Sequence, residues 1–312
     1  MRESAKGVMA MAAACTVWGL SPIYYKLLAE VPPLEVLSHR TLWSALLFTL
    51  VLAAQGRLGL VPAALRGRGL AVVTLAAVLI SANWFLFIFS VQIGHTVEAS
   101  LGYFIFPLVA VVIGLVAFGE RLGLGQGLAV ALAGLAVVVL TAGLGVAPWI
   151  ALALATTFGL YGLIKKRLAA GPVVSVTAEV LVLTPLALIW LIGLHSGAWV
   201  EFARPGAWFG QSLGTSVMLA FSGVITAGPL ILFSYAARRV SMATLGLVQY
   251  LNPSLQFVCA TLIFAEPFTR WHGIAFSLIW AALTLYSWES LRQDRAARSR
   301  GVSAATSGTA VK

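Results

Sequence analysis

Two ionisable side chains lie inside long apolar segments, where a charge has no aqueous solvent. Arg40 lies about six residues into one segment and Glu179 about six residues into another, so each is roughly 9 Å below a surface if the segments are helices. A charge at such a depth costs about 2.5 to 3.5 kcal/mol on insertion scales, and membrane proteins retain it mainly for function. Both residues are therefore candidate functional residues.

We expect the two charges on opposite sides of the bilayer midplane, because their segments should enter the membrane from opposite faces. A direct pair between Arg40 and Glu179 would have to span roughly 12 Å of depth. We therefore predict two gating ion pairs, Arg40 with Glu98 on the outer side and Glu179 with Arg239 on the inner side. Static anchoring pairs are the alternative. Glu98 or Glu179 could also carry a coupling proton.

Gly and Pro interrupt two apolar segments at corresponding places, Gly102 with Pro107 and Gly246 with Pro253. Proline removes a backbone donor, so the freed carbonyl groups must face protein or a polar cavity. Paired interruptions predict a central binding site, and kinks needed only for packing are the alternative. Nearby side chains that could contact an amphipathic solute are Tyr103, Gln249, Tyr250, Asn252, Gln256, Asn83, Trp84 and Trp18, although packing is the favoured interpretation for Trp18.

Residue patterns typical of enzymes are missing from the sequence. Its single aspartate is Asp294, outside the apolar segments, and its four histidines are scattered near segment ends. It contains no H-E-x-x-H, G-x-S-x-G or G-x-x-x-x-G-K-[ST] motif. We therefore expect no enzyme activity, no ATP hydrolysis by this chain, no metal site and no cofactor.

The composition requires lipid as the solvent. The chain is 60% hydrophobic and 10% charged, whereas soluble domains are typically about 25% charged. A bilayer-spanning helix needs roughly 20 apolar residues, and about ten segments qualify. The predicted spans are 7–25, 34–54, 70–89, 96–118, 124–142, 147–164, 173–194, 214–236, 241–265 and 271–290.

Lys and Arg residues set the expected orientation. With a cytoplasmic N-terminus, 16 of the 20 Lys and Arg residues lie in cytoplasmic segments, as the positive-inside rule requires. Both termini should then be cytoplasmic. The net charge of +10 is spread over short loops and a tail, so we expect no nucleic-acid partner.

The two halves of the sequence resemble each other. Ala99–Gly102 recurs as residues 243–246, and Pro107 precedes Glu120 by the same 13 residues that separate Pro253 from Glu266. Five spans per half would insert the second copy upside down. We predict an all-α integral membrane protein with inverted five-helix repeats at 1–143 and 144–292, and a disordered basic cytoplasmic tail at 293–312. Small residues at 119, 123, 127 and 131 suit close helix packing, either within the chain or in a homodimer.

Several short motifs occur together along the chain. They include Trp18-Gly19-Leu20-Ser21-Pro22, His39-Arg40, Asn83-Trp84, the run from Glu98 to Ile105, Tyr161-Gly162-Leu163, Gly228-Pro229-Leu230 and Gln249-Tyr250. Together they resemble the RarD-like branch of the EamA-type drug/metabolite transporter superfamily, over about residues 5–290. The resemblance implies a ten-helix inverted-repeat carrier in the bacterial inner membrane.

The expected function is secondary-active transport of a small organic metabolite or drug-like solute by alternating access. Export is the favoured direction, by family analogy only. A membrane-embedded enzyme and a channel or non-transporting helper subunit are the alternatives. The expected partners are the solute and the lipid bilayer, with a coupling proton and a second copy of the chain as further candidates.

Overall fold

In the computed structural model, helices make up most of the described residues, which are 3–118, 123–165, 170–204, 206–240 and 242–307. The helices are α1 (Glu3–Leu27), α2 (Pro33–Ala54), α3 (Leu60–Ala64), α4 (Arg68–Gln92), α5 (Thr96–Phe118), α6 (Leu124–Leu144), α7 (Trp149–Lys165), α8 (Pro172–His195), α9 (Leu213–Ala237), α10 (Met242–Gln249), α11 (Leu251–Val258) and α12 (Arg270–Ser307). A π-helical turn, Cys259–Ile263, directly follows α11.

Seven of the described helices are long and apolar enough to cross a membrane, namely α1, α2, α4, α5, α6, α8 and α9. A further apolar helix, α7, is shorter at 17 residues. Continuous apolar runs become helices because a helix satisfies its own backbone hydrogen bonds, which lipid cannot do. The first eight predicted spans each coincide with one helix to within a few residues.

The structure departs from the predicted spans at two places near the C-terminal end. The predicted span 241–265 is divided into α10, α11 and the π-helical turn, with the interruption at Tyr250. The final helix continues to Ser307, through most of the tail that the sequence predicts to be disordered. Ala and Arg are frequent in this tail and have high helix propensity, which favours continuation of the helix. Residues 308–312 lie outside the described part of the chain.

The Gly and Pro residues predict a helix break in each half of the chain. The structure shows a break only in the second half. α5 runs without interruption through Pro107, whereas its counterpart is broken at Tyr250, before Pro253. Gly102 has a packing explanation instead: a Cβ atom there would lie 2.8 Å from the carbonyl oxygen of Ala151 on α7. This glycine therefore allows two helices to approach closely and does not break a helix.

The chain forms two compact units that cut across the predicted halves. The first comprises Met1–Ala110 with Trp149–Phe268, and the second comprises Val111–Pro148 with Thr269–Lys312. Within the first unit, α1 packs against α9, α2 against α8 and α9, and α4 against α7. These contacts join helices of different predicted repeats.

In the second unit, α6 and α12 pack along a seam of small residues. The buried positions of α6 are Ala129, Ala133, Ala136 and Leu140. The small residues singled out from the sequence lie elsewhere, because Gly123 and Gly127 are half-buried and Ala131 is exposed. Residue 119 is outside the described ranges. The close packing within this unit therefore uses a different face of α6, and a homodimer stays a prediction.

The segment 196–212, between α8 and α9, is bonded to the start of α2. The first amide groups of a helix lack partners within the helix. Here the Leu34 amide donates to Oε1 of Glu201 at 2.7 Å, while Glu35 Oε1 accepts from the Trp208 amide at 2.7 Å. The described part of this segment, called the capping segment below, thus completes the N-terminal end of α2.

Glu201 makes the stability of the folded protein depend on pH. Burial raises its pKa to about 6, and hydrogen bonds from backbone amides partly offset this rise. The folded protein then binds this proton more tightly than the unfolded chain does. The resulting stabilisation is present at low pH and is lost as the pH rises through about 6.

We expect wild-type protein to lose roughly 1–2 kcal/mol of unfolding free energy from this group between pH 4.5 and 7.5. Glu201→Gln should show a smaller pH dependence because its amide does not titrate. Thermal unfolding in detergent across this pH range measures the difference. Equal pH dependence of the two proteins would assign the titration to another group.

Candidate functional site

Arg40 is packed against aromatic side chains from two other helices. The residue is 6% exposed on α2, and its Nη1 donates to the hydroxyl of Tyr25 on α1 at 2.8 Å. Its guanidinium carbon lies 4.1 Å from the ring centroid of Trp84 on α4. A desolvated cation over an indole ring is stabilised by about 2 kcal/mol. Aromatic faces therefore stabilise this charge in the structure.

The predicted pair between Arg40 and Glu98 is not formed. Glu98 lies in the first turn of α5, where its Oε1 is 2.8 Å from Nδ1 of His95, one helical turn away. No carboxylate among the described residues lies within 4 Å of the Arg40 guanidinium. A neighbour on the same turn is a closer partner for Glu98 than a side chain on another helix. The direct pair between Arg40 and Glu179 is also absent.

Asn83 joins three helices near Arg40. Its Oδ1 accepts from the Tyr103 hydroxyl of α5 at 2.9 Å, and its Nδ2 donates to the Leu154 carbonyl at 2.9 Å and to Thr157 Oγ1 at 3.0 Å on α7. Asn83 is buried, so these bonds fix the orientation of its amide. The structure brings together Asn83, Trp84 and Tyr103, which the sequence analysis names as separate candidates for contacting a solute, and it adds Thr157, which the sequence analysis does not name.

A row of aromatic rings runs from Tyr25 to Tyr161. Successive ring centroids are 5.9, 5.7, 5.9 and 6.0 Å apart, and the rings belong to Tyr25, Phe87, Tyr103, Phe158 and Tyr161 in that order. We call this set the aromatic row. Such distances are typical of edge and offset ring contacts. The row therefore connects the surroundings of Arg40 to the second intramembrane charge.

Glu179 lies at the far end of the aromatic row in a polar cluster. The residue is 1% exposed, and its Oε1 is 2.6 Å from Lys165 Nζ and accepts from Ser175 Oγ at 2.9 Å. Lys165 also donates to Ser175. The Tyr161 hydroxyl donates to Glu179 Oε2 at 3.0 Å. All of these contacts involve α7 and α8, which bring the four side chains together.

The predicted partner of Glu179 is wrong. Arg239 instead lies 3.0 Å from Glu3 and stacks over the ring of Tyr235. Lys165 is the partner because the last turn of α7 faces α8. The sequence contained a usable signal: Lys165 directly follows the predicted span 147–164, and Tyr161 lies one helical turn earlier on the same face.

The second-half candidates lie around the break at Tyr250. Pro253 is buried, Gln249 and Asn252 are half-buried, and Gly246 is exposed. Asn252 Oδ1 accepts from Gln256 Nε2 at 2.9 Å within its own helix. Trp18, on α1, contacts Phe233 with ring centroids 6.5 Å apart. These contacts do not include Arg40 or the aromatic row, so any role of this group in the site stays a prediction.

In the described ranges, no group of three or more His, Cys, Asp or Glu side chains is arranged to hold a metal ion. The site is instead built from one arginine, one lysine–glutamate pair, an asparagine and aromatic rings. This set can bind a polar group and an apolar ring at the same time.

Comparison with known proteins identifies the family. Residues 5–142 match the EamA-like transporter family. Protein RarD of Streptomyces exfoliatus is 44% identical over 301 residues, covering 96% of this chain and 93% of that protein. This chain belongs to the RarD-like branch of the EamA family. It is therefore a multi-pass membrane protein, and several of its relatives are named as transporters.

Other RarD relatives span the same length. Uncharacterized transporter YojE of Bacillus subtilis strain 168 is 38% identical over 95% of this chain and 98% of its own. Chloramphenicol-sensitive protein RarD of Pseudomonas aeruginosa is 33% identical over 97% of this chain and 100% of its own. One solved crystal structure superposes with a TM-score of 0.58 at 17% identity, covering 94% of this chain and 99% of that chain, which indicates a shared fold.

Proposed function

We propose that this RarD-like protein is a secondary-active carrier that moves a small organic solute across the bacterial inner membrane by alternating access. Ten membrane-crossing segments in two inverted repeats, with both termini in the cytoplasm, are part of the proposal. Export is the proposed direction. The observation that carries the proposal is the buried Arg40 over Trp84 beside the Asn83–Tyr103 pair, in a chain whose relatives are named transporters.

Burial of Arg40 supports a binding role because a charge inside the membrane is costly unless function retains it. The surrounding rings offer flat apolar surfaces, and the guanidinium offers several hydrogen-bond donors. A solute with a polar group and an apolar body suits this combination. The proposed solute site therefore consists of Arg40, Trp84, Asn83 and Tyr103.

The Glu179–Lys165 cluster supports a second role, in coupling. A buried carboxylate with a lysine, a serine and a tyrosine as partners can exchange a proton along short hydrogen bonds. The aromatic row packs between this cluster and the proposed solute site. We propose that protonation of Glu179 releases Lys165 and alters the packing of α7 against α8.

The test of function is to find a transported solute. Metabolite profiles of cells lacking or overproducing the protein identify candidates whose concentrations change in opposite directions. Purified protein in liposomes should then exchange labelled for unlabelled candidate in counterflow. A channel equilibrates the label without counterflow, and an enzyme returns an altered molecule, so either result would overturn the proposal.

Tyr103→Phe should slow counterflow by about tenfold, because the Asn83 amide loses the hydroxyl that fixes its orientation. Asn83→Ala should slow it at least as much. Thr184→Val is the matched control, since the Thr184 hydroxyl bonds only to the Val180 carbonyl of its own helix among the described residues. If the control slows transport as much as Tyr103→Phe does, the Asn83–Tyr103 pair has no special role.

A further inference from the structure

Arg40 is a buried cation that lacks an anionic partner among the described residues. No described glutamate of the first compact unit forms a salt bridge with Arg40; Glu3 pairs with Lys6, and Glu30 is exposed. Glu98 pairs with a histidine and Glu179 with a lysine, and the carboxylates that accept backbone amides are Glu35, Glu201 and Glu266. The charge of Arg40 is therefore not neutralised by the described part of the protein.

The groups that contact Arg40 are uncharged, and they leave donors unused. Tyr25 accepts one hydrogen bond from Nη1, and Trp84 presents its ring face to the guanidinium. The Nε atom is buried and bonds to no described residue. A guanidinium has five N–H donors in a planar fork that matches a carboxylate. Arg40 thus retains the donors that would bind an anion.

Aromatic rings adjoin this cation. Trp84 lies against the guanidinium, and the aromatic row begins with Tyr25 and continues through Phe87 to Tyr103. A ligand that presents a carboxylate to Arg40 would place its neighbouring carbon atoms beside these rings. An aromatic or branched apolar body would then gain contact area and exclude water from the ion pair.

We infer that the substrate is an organic anion, a small carboxylate with an aromatic or apolar body, and that Arg40 is its counter-charge. This inference rests on the proposed carrier function, because it names the substrate class for the same site. The bound anion replaces the carboxylate that the protein itself does not provide. A cationic or neutral solute of the same shape lacks this interaction and should be discriminated against.

Three probes of similar size test the charge requirement, namely 3-phenylpropionate, its neutral amide and phenethylammonium. Purified protein in a nonionic detergent without added lipid is titrated with each at pH 7.5, and the thermal shift gives the dissociation constant. We expect 3-phenylpropionate to bind at least about tenfold more tightly than the amide, since charge-assisted bonds to guanidinium are lost in the amide. Phenethylammonium should not bind.

Arg40 variants show whether this residue supplies the charge. Arg40→Gln should abolish the preference for the carboxylate, and Arg40→Lys should retain the preference with weaker binding because a lysine lacks the planar fork. Lys26→Gln is the matched control, since Lys26 is also a cation near an aromatic ring, 5.7 Å from the centroid of Phe264. It should bind 3-phenylpropionate as wild type does.

The outcomes separate this inference from the carrier function. Binding of the amide or the amine as tightly as the carboxylate overturns the inference, and so does binding of none of the three. Counterflow of each of the three probes then tests transport. Exchange of the amine alone would leave the carrier function intact and exclude an anionic substrate. Arg40-dependent binding of the carboxylate without counterflow would support the anion site and exclude a carrier.

Discussion

Lys165→Ala is expected to lower the free energy of unfolding by about 3–5 kcal/mol, because it leaves Glu179 buried without its cation. The distance of 2.6 Å and the 1% exposure of Glu179 make this the most enclosed ion pair among the described residues. Glu179→Gln should cost less, because the Lys165 side chain is 22% exposed and its ammonium can reach water. Thermal unfolding in detergent measures both losses.

The pair Lys6–Glu3 is a matched control for this prediction. Its 2.7 Å separation is nearly the same, but its side chains are 43% and 62% exposed. Lys6→Ala should therefore destabilise the protein much less than Lys165→Ala, because water screens an exposed pair. The double variant Lys165→Ala with Glu179→Gln should be more stable than Lys165→Ala alone, since the unpaired charge is removed. Equal losses for Lys165→Ala and Lys6→Ala would show that the buried contact is not formed.

Gly102→Ala is expected to disrupt the packing of α5 on α7 and to cost about 1–3 kcal/mol. The new methyl group would lie 2.8 Å from the carbonyl oxygen of Ala151 and 3.1 Å from its Cα atom, and backbone atoms cannot rotate away. The shift should also pull Tyr103 from Asn83. We therefore expect lower thermal stability and slower counterflow in the same variant.

Gly246→Ala provides the control, since Gly246 is the predicted repeat counterpart of Gly102. A Cβ atom at Gly246 meets no described atom within 4 Å. Alanine in a helix is favoured over glycine by up to about 1 kcal/mol, so this variant should be as stable as wild type or more stable. If both variants lose stability equally, the two repeats pack more symmetrically than the structure shows.

The helices could be predicted well from sequence because each apolar run is long and has few acceptable conformations in lipid. The positions of Arg40 and Glu179 along their helices could also be predicted, since residue number fixes height along a helix. The direction in which each side chain points could not be predicted. A membrane helix that is apolar on all sides has no polar stripe to show which face meets a neighbour.

The partners of the buried charges illustrate this limit. The sequence pairs Glu98 with Arg40 and Arg239 with Glu179 because the two residues of each pair have the same expected depth. The structure instead places Trp84 against Arg40 and Lys165 against Glu179. Ring faces carry no charge, so a search for opposite charges cannot find them. The predicted span ends at residue 164 and leaves Lys165 in a loop, whereas the helix continues through Lys165.

The helix break shows the same limit for backbone structure. Pro107 and Pro253 occupy equivalent places in the sequence, yet only the helix with Pro253 is interrupted. Proline removes one hydrogen bond, which a helix can accommodate by bending. Whether the helix is interrupted near the proline depends on the helices that pack against it, and these differ between the two halves. A duplicated sequence therefore does not predict duplicated backbone geometry.

The capping segment has a consequence for the order of biosynthesis. The amide of Leu34 is bonded to Glu201, a residue that the ribosome adds 167 positions later. Arg204 similarly bonds the carbonyl group of Ala29, 175 positions earlier. Until α8 has been inserted and the capping segment has followed it, the first two helices lack these bonds. In a nascent chain stopped after the first five helices, the N-terminal end of α2 would lack these bonds and would be accessible to cellular proteases.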